Sequence, residues 1–354
     1  MPILPCGVHS INYGQEKAFI RTKAQWVCFA LFLTLLFILP FFIGERILGI
    51  INMMSITLIA VVGLQITTGL TGQINLGQSA FMGMGAFTAA SLSINYQIPF
   101  WLAIPAAGIG GSILGTIFGL PALRVKGFYL ALTTLAAQIL FPIFILRFPS
   151  KLFGGAQGFG LTPPKVGGLV IQSESSFYYL IMGLTVLMIT FAFNITRSGL
   201  GRAFIAIRDN DIVAEVMGVN LFVYKSLSFS IGSLFAGVAG GLWAYYIGYV
   251  MVDQFNLFSS VWFLGMIIVG GLGSILGAIL GTVFLRALQE LLIFGGPFFS
   301  QAFSELGGQG VWFSGMNIIL GSVIILFLIF EPRGLTHRWN LIKHQFRIWP
   351  YPYM

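Results

Sequence analysis

The stretch Ile47-Leu-Gly-Ile-Ile-Asn-Met-Met-Ser-Ile-Thr-Leu-Ile-Ala-Val-Val-Gly-Leu-Gln-Ile-Thr-Thr-Gly-Leu70 contains no Asp, Glu, Lys or Arg. A helix that crosses a bilayer needs roughly 20 predominantly apolar residues, and this run supplies them without a break. Runs of similar size occupy 26–44, 74–94, 99–121, 127–147, 177–195, 226–250, 257–271, 274–293 and 312–330. The pattern predicts an all-α membrane protein of about ten transmembrane helices, with the 257–293 stretch open to a different division.

Composition agrees with that reading. The 354 residues are 57% hydrophobic and only 8% charged, with a mean hydropathy of +0.93, whereas soluble domains carry roughly 25% charged residues. So little charge cannot cover a water-facing surface, which argues against a soluble globular enzyme. The 45 glycines and 35 phenylalanines fit the same class, since glycine is commoner in membrane helices than in soluble ones.

The net charge of +8 is distributed as topology determinants, not as a nucleic-acid face. With the N-terminus inside, ten crossings return the C-terminus inside. Inside then fall Lys17, Arg21, Lys23, Arg124, Lys126, Arg197, Arg202, Arg208, Lys225, Arg333, Arg338, Lys343 and Arg347. Outside fall Arg46, Arg147, Lys151, Lys165 and Arg286. Lys and Arg accumulate in cytoplasmic loops, so N-in/C-in is the expected orientation, and no nucleic-acid partner is expected. Residues 1–25 read as a cytoplasmic tail, 26–332 as the transmembrane domain and 333–354 as a basic cytoplasmic tail. The first apolar run, followed by Glu45-Arg46, reads as a retained span and not a signal peptide.

The external segment 148–176 holds Gly154-Gly155, Gly158, Gly160, Pro163-Pro164 and Gly167-Gly168. Those residues break helices, which leaves either a structured loop that docks an external partner or a flexible connector.

One internal repeat is visible. Gly111-Ser-Ile-Leu-Gly-Thr-Ile-Phe-Gly-Leu-Pro-Ala-Leu-Arg124 aligns with Gly273-Ser-Ile-Leu-Gly-Ala-Ile-Leu-Gly-Thr-Val-Phe-Leu-Arg286, and nine of fourteen positions match. Gly111, Gly115 and Gly119, like Gly273, Gly277 and Gly281, form ribbons at i, i+4 and i+8 where a neighbouring backbone can approach. Two inverted-topology halves, spans 2–5 and 7–10, follow if the repeat is structural, with the substrate path between them. A coincidence between two glycine-rich helices is the alternative. By inversion Arg286 is expected near the outer surface, with Glu290 one turn on.

The chain lacks the sets that chemistry or ion coupling would need. His9, His337 and His344 all lie in the terminal tails, Cys6 and Cys28 match no metal spacing, and Glu290 is the sole acid well inside a span. No catalytic residue, metal ligand or cofactor of this chain's own is expected. Any uphill transport must draw its energy from elsewhere, although a self-contained channel or secondary carrier remains a rival reading and an intramembrane enzyme a distant one.

Two segments are candidates for function. Thr68-Gly-Leu-Thr-Gly-Gln-Ile-Asn-Leu-Gly-Gln-Ser79 puts glycines and amides at membrane depth, as in a broken helix, tolerated only where protein or water satisfies the freed backbone. Gln73, Asn75, Gln78 and Ser79 are therefore candidates for the substrate path, or for hydrogen bonds that hold the bundle. Gly270-Gly-Leu-Gly-Ser274 is a second flexible junction; no strand precedes it, and its glycine spacing is wrong for a dinucleotide fingerprint. The inside loop 196–225 predicts a short helix capped by Asp209 or Asn210 and ended by Gly218. Ile212, Val213, Val216 and Met217 would share one face, and Asp211, Ala214 and Glu215 the other. Such a helix is expected along the membrane surface with its polar side to the cytosol, either as a plain connector or as a docking element.

Gly201-Arg-Ala-Phe-Ile-Ala-Ile-Arg208 and Ala214-Glu-Val-Met-Gly-Val-Asn220 resemble the cytoplasmic coupling segment of ABC importer permeases. In detail the chain is similar to the second permease of the high-affinity branched-chain amino acid importers. The likeness extends to Thr71 through Phe87, Leu120-Pro-Ala-Leu-Arg-Val-Lys-Gly-Phe-Tyr129, Gly270 through Ser274, and Glu331-Pro-Arg-Gly-Leu335. It implies a bacterial cytoplasmic (inner) membrane protein, multi-pass in lipid. The partners it implies are a second permease subunit completing a heterodimeric pore, two ATP-binding subunits holding ATP and Mg, and an external substrate-binding protein. Carried over by position, Arg202, Arg208, Asp211, Ala214, Glu215, Gly218 and Asn220 would couple to an ATPase groove. The chain itself has no phosphate loop of the Gly-x-x-x-x-Gly-Lys-Ser/Thr type. The expected function is ATP-driven alternating access for branched-chain or other neutral amino acids. Gln78 stands where the family commonly has His, which leaves urea or short amides as the alternative substrate.

Overall fold

With no water in a bilayer core, backbone N–H and C=O groups must pair within their own segment, so spans are helices. The computed structural model describes residues 23–120, 127–166, 169–302 and 308–348. The tail residues Lys17 and Arg21, together with Arg124, Lys126, Gly167 and Gly168, lie outside the described residues. Every one of the apolar runs contains a helix: α1 (Lys23–Ile38), α2 (Glu45–Leu64), α3 (Gln78–Asn95), α4 (Phe100–Gly119), α5 (Phe128–Arg147) and α6 (Glu174–Arg197) lead to the inside loop. That loop carries α7 (Gly199–Asp209) and α8 (Asp211–Val216). Then follow α9 (Leu221–Ile247), α10 (Leu257–Gly270), α11 (Ile275–Ala302), α12 (Gly308–Phe330) and α13 (Gly334–Ile348).

Among the described residues, seven helical segments are long and apolar enough to cross a membrane. An eighth arises if α12 and the start of α13, bent by 52° at their junction, count as one span. The chain is thus an all-α, multi-pass membrane protein, and seven to eight of its described segments have the length and hydropathy of a span. Helix α1 contributes only a shorter apolar stretch, Phe29–Phe41, and α3, rich in glycine and hydroxyls, falls outside the seven.

Helix α9 forms the axis of the bundle. Its apolar window is 72% buried, against 33% for α6 and α11. It packs on α2, α3 and α4, and glycine sets how closely. A methyl group added at Gly85 would overlap the backbone of Gly237, and one at Gly240 the carbonyl of Met82. Lipid tails are as apolar as leucine, so close van der Waals packing, not water exclusion, holds such an interface together.

The described residues of the segment 148–176 form short elements. Strand β1 (Phe159–Gly160) pairs antiparallel with β4 (Tyr249–Val250), just past the end of α9. Strands β2 (Lys165–Val166) and β3 (Leu169–Val170) form a small hairpin.

The two copies of the repeat occupy different places. Gly111, Gly115 and Gly119 lie in the second half of α4 and face Ser233, Gly237 and Phe229 of α9. In the second copy Gly273 lies before α11, in the turn, at φ +84°. Gly277 and Gly281 follow within α11, against Gly270, Gly271 and Met266. Arg286, expected near the outer surface, lies well inside its helix. It sits 11 residues into a 28-residue helix, roughly 16 Å along it at 1.5 Å per residue, and its Nη2 donates to Thr57 Oγ1 of α2 at 2.6 Å. The sequence match places the glycines alike, but helix starts differ, and depth follows the helix start.

Candidate functional site

The span that opened the sequence reading breaks where its glycines and amides begin. After Leu64 the backbone widens into a π-helical turn, Gln65–Leu70, and then leaves helix altogether until Gln78 starts α3. Freed backbone groups at this depth need partners, and polar side chains supply them. Thr71 Oγ1 donates to Ile66 O at 2.9 Å, and Asn75 Oδ1 accepts from Gly77 N at 2.9 Å. The start of α3 is held by Gln138 of α5, whose Oε1 accepts from Ala80 N (2.9 Å) and Ser260 Oγ (3.0 Å) while its Nε2 donates to Phe255 O (2.8 Å).

Gln65 joins the two flexible junctions. Its Nε2 donates to Gly271 O at 3.1 Å and to Ser274 O at 3.0 Å. The break after α2 therefore faces the break between α10 and α11, although more than 200 residues separate them. Thr336 of α13 closes the same corner by donating to Gly270 O at 2.8 Å.

Beside this corner lies the loop 196–225. Ser198 caps α7 by accepting from Leu200 N. Asn210 ends α7 and caps α8, its Oδ1 accepting from Ile212 N and Val213 N. Gly218 turns the chain at φ +87°, a conformation that glycine adopts without strain, and Asn220 caps α9 through Val223 N. The helix α7, eleven residues long, has no counterpart in the sequence reading. The side of α8 that packs inward is that of Asp211 and Ala214. Ala214 is buried and Asp211 turns inward to Lys225 Nζ at 3.4 Å, whereas Val216 and Met217 are 82% and 80% exposed, with Ile212 and Val213 uncovered beside them. A helix of six residues cannot bury both a capped N-terminus and its apolar side, and the polar anchor decides which face turns in.

Arg208 links loop and break. Its Nη1 donates to Gly69 O at 3.2 Å, its Nη2 pairs with Asp209 Oδ1 at 3.0 Å, and its side chain lies against Gly72 and Gly273. A cavity of about 360 Å³ opens here, lined by Thr71, Gln73, Arg208, Asn210, Asp211 and Lys225 among others. Arg202 and Glu215 project from the loop surface.

Gln73, Asn75, Gln78 and Ser79 are all buried but are used differently. Asn75 Nδ2 donates to Gln78 Oε1 at 3.0 Å, and Gln78 Nε2 donates to Ala60 O at 2.8 Å, so both amides are engaged by protein. Gln73 Oε1 accepts from Ser228 Oγ at 3.4 Å while its Nε2 has no partner. Ser79 Oγ also lacks one and lines a second cavity. Sequence reasoning missed Gln65, Gln138 and Ser260, which sit singly in apolar spans and gain meaning only from elements far along the chain.

The family model for "Branched-chain amino acid transport system / permease component" matches residues 46–329. The chain belongs to that family. It is 30% identical over 320 residues to the high-affinity branched-chain amino acid transport system permease protein LivM of Salmonella typhimurium, covering 84% of this chain and 71% of that one. With the Escherichia coli protein of the same name it shares 29% identity over 333 residues, 86% of this chain and 74% of that one. An autoinducer 2 import system permease protein, LsrC of an Enterobacter species, is 26% identical over 276 residues, 75% of this chain and 76% of that one. No solved structure matches. These relatives are transport permeases, and the chain is a membrane permease component like them.

Proposed function

We propose that the chain forms one half of the pore of an ATP-driven importer for branched-chain or other neutral amino acids in a bacterial cytoplasmic membrane. In this reading it crosses the bilayer ten times, N-in and C-in, with spans 2–5 and 7–10 meeting where the break at 65–77 faces that at 270–274. A second permease subunit completes the pore, two ATP-binding subunits carrying ATP and Mg dock below, and an external binding protein delivers the solute to the segment 148–176.

The observation that carries the proposal is Arg208, which ties the coupling loop to the backbone of the broken span at Gly69. The uncovered apolar face of α8 supports docking into an ATPase groove, since contiguous exposed apolar residues mark contact surfaces. Arg202 and Glu215 would flank that contact, and movement of α7 and α8 on ATP binding would pull on the break through Arg208. Gln73 and Ser79, with unspent hydrogen-bonding capacity, would face the path, while Asn75 and Gln78 hold its wall. The spans carry little charge, which suits a neutral or zwitterionic solute.

The test is uptake by the full complex in proteoliposomes, with leucine, other neutral amino acids and urea as competitors. Leucine competes if the reading holds, and competition by urea alone overturns the substrate class. Glu215→Arg and Val216→Asp, both at exposed positions, should abolish uptake and co-purification of the ATP-binding subunits. Retention of both in these variants would remove the coupling role from the loop.

A further inference from the structure

A guanidinium at membrane depth is costly unless something answers its charge. Arg286 of α11 is such a group. Its Nη2 donates to Thr57 Oγ1 at 2.6 Å and its Nη1 to Gln289 Oε1 at 3.2 Å, both neutral acceptors. Its Nε is shielded from solvent and has no partner. Among the described residues no carboxylate forms an ion pair with it; Glu290, one turn on along the same helix, is not within ion-pair distance. Elsewhere in the bundle the half-buried acid Glu174 is met by Asn52 and Tyr246 at 3.0 and 2.9 Å.

Arg286 lines a cavity of about 170 Å³ between α2, α3, α9, α10, α11 and α12. Two further donors without acceptors, Ser79 Oγ and Trp243 Nε1, belong to residues of the same lining. Ser79 stands in the first turn of α3, where the helix dipole adds positive potential. On the other side the walls are aromatic, from Phe255, Trp262 and Phe263. The volume equals that of about five or six waters at ~30 Å³ each, the scale of a small solute. A lining that combines a cation and two orphaned donors with aromatic residues asks for a molecule with an anionic oxygen pair and a hydrophobic body.

We propose that this cavity is a transport subsite in which Arg286, with Ser79 and Trp243, holds the α-carboxylate of the amino acid in transit. The aromatic wall then receives its side chain. This deepens the amino-acid reading above and rests on it.

The test uses the complete complex of this chain with its partner subunits, titrated with L-leucine and with leucinol while tryptophan fluorescence is followed, alongside leucine uptake in proteoliposomes. Leucinol keeps the side chain and the ammonium group and lacks the carboxylate. Wild type should prefer leucine. Arg286→Gln should weaken leucine about ten- to a hundredfold, as loss of a charge-assisted hydrogen bond does, and collapse the leucine-to-leucinol ratio towards one; Arg286→Lys should restore part of it. Should Arg286→Gln fail to assemble, Arg286→Lys and Ser79→Ala carry the test, each lowering the ratio by about threefold or more. An unchanged ratio in the assembled variants, with leucine still taken up by wild type, overturns the carboxylate subsite alone. A wild-type complex that neither responds to leucine nor takes it up overturns the function reading, and the subsite with it.

Discussion

The interface of α3, α4 and α9 and the seam around the two breaks are built from similar residue types and behave as opposites. In the first, glycines bring backbones into contact, as at Gly85 with Gly237 and Gly240 with Met82, and the space is filled by apolar atoms. In the second, glycines sit at turns and junctions, Gly72, Gly271 and Gly273 at positive φ, and the space is bridged by single amides or left open. Glycine within a helix tightens a membrane bundle; glycine outside one leaves a corner held by a few hydrogen bonds. The difference suits a rigid block on one side and a movable corner on the other.

The sharpest way to break this comparison is to add bulk to the rigid block. Gly240→Leu should cost about 3 kcal/mol or more from overpacking, seen as loss of monodisperse protein and a collapsed thermal transition in detergent; tolerance of leucine there would mean the block is not close-packed. A smaller effect is expected at the corner. Gln65→Leu removes the bonds to Gly271 O and Ser274 O and should lower stability by about 1–2 kcal/mol, the upper range for hydrogen bonds between membrane helices, with uptake falling more than thermal stability does. Equal effects on both would make Gln65 a simple brace. Arg208→Ala should reduce uptake about three- to tenfold, the range for loss of an ordinary net hydrogen bond, while the ATP-binding subunits still co-purify. Loss of their binding would instead place Arg208 in the docking surface. The least effect belongs to the lipid side: Ile113→Val, at a position 57% exposed on α4, should stay within about 0.5 kcal/mol in the same thermal assay.

How far the sequence could be read differs by residue. The span 47–70 was legible because its lack of charge is a property of consecutive residues, and so was the break after it, since Gly69, Gly72 and Gly77 with Gln73 and Asn75 are adjacent in the chain. The cap Asn210 and the turn at Gly218 belong to the same class. The cavity beside Arg286 was not legible, because the repeat fixed its neighbours in sequence but not where α11 begins or what packs against it. The inward turn of Asp211 was not legible because Lys225, which it meets, lies on the next helix.

By itself the sequence determined that this protein lives in lipid, where its helices fall and where one of them breaks. Those are local properties, set by transfer free energy and by backbone hydrogen bonds that close within a few residues. Only the tertiary structure decided that the two breaks meet through Gln65, that Arg208 reaches Gly69, and that Arg286 faces a cavity with Ser79 and Trp243. Such contacts join residues tens to hundreds of positions apart, and their geometry exists only once close packing has fixed the helices against one another.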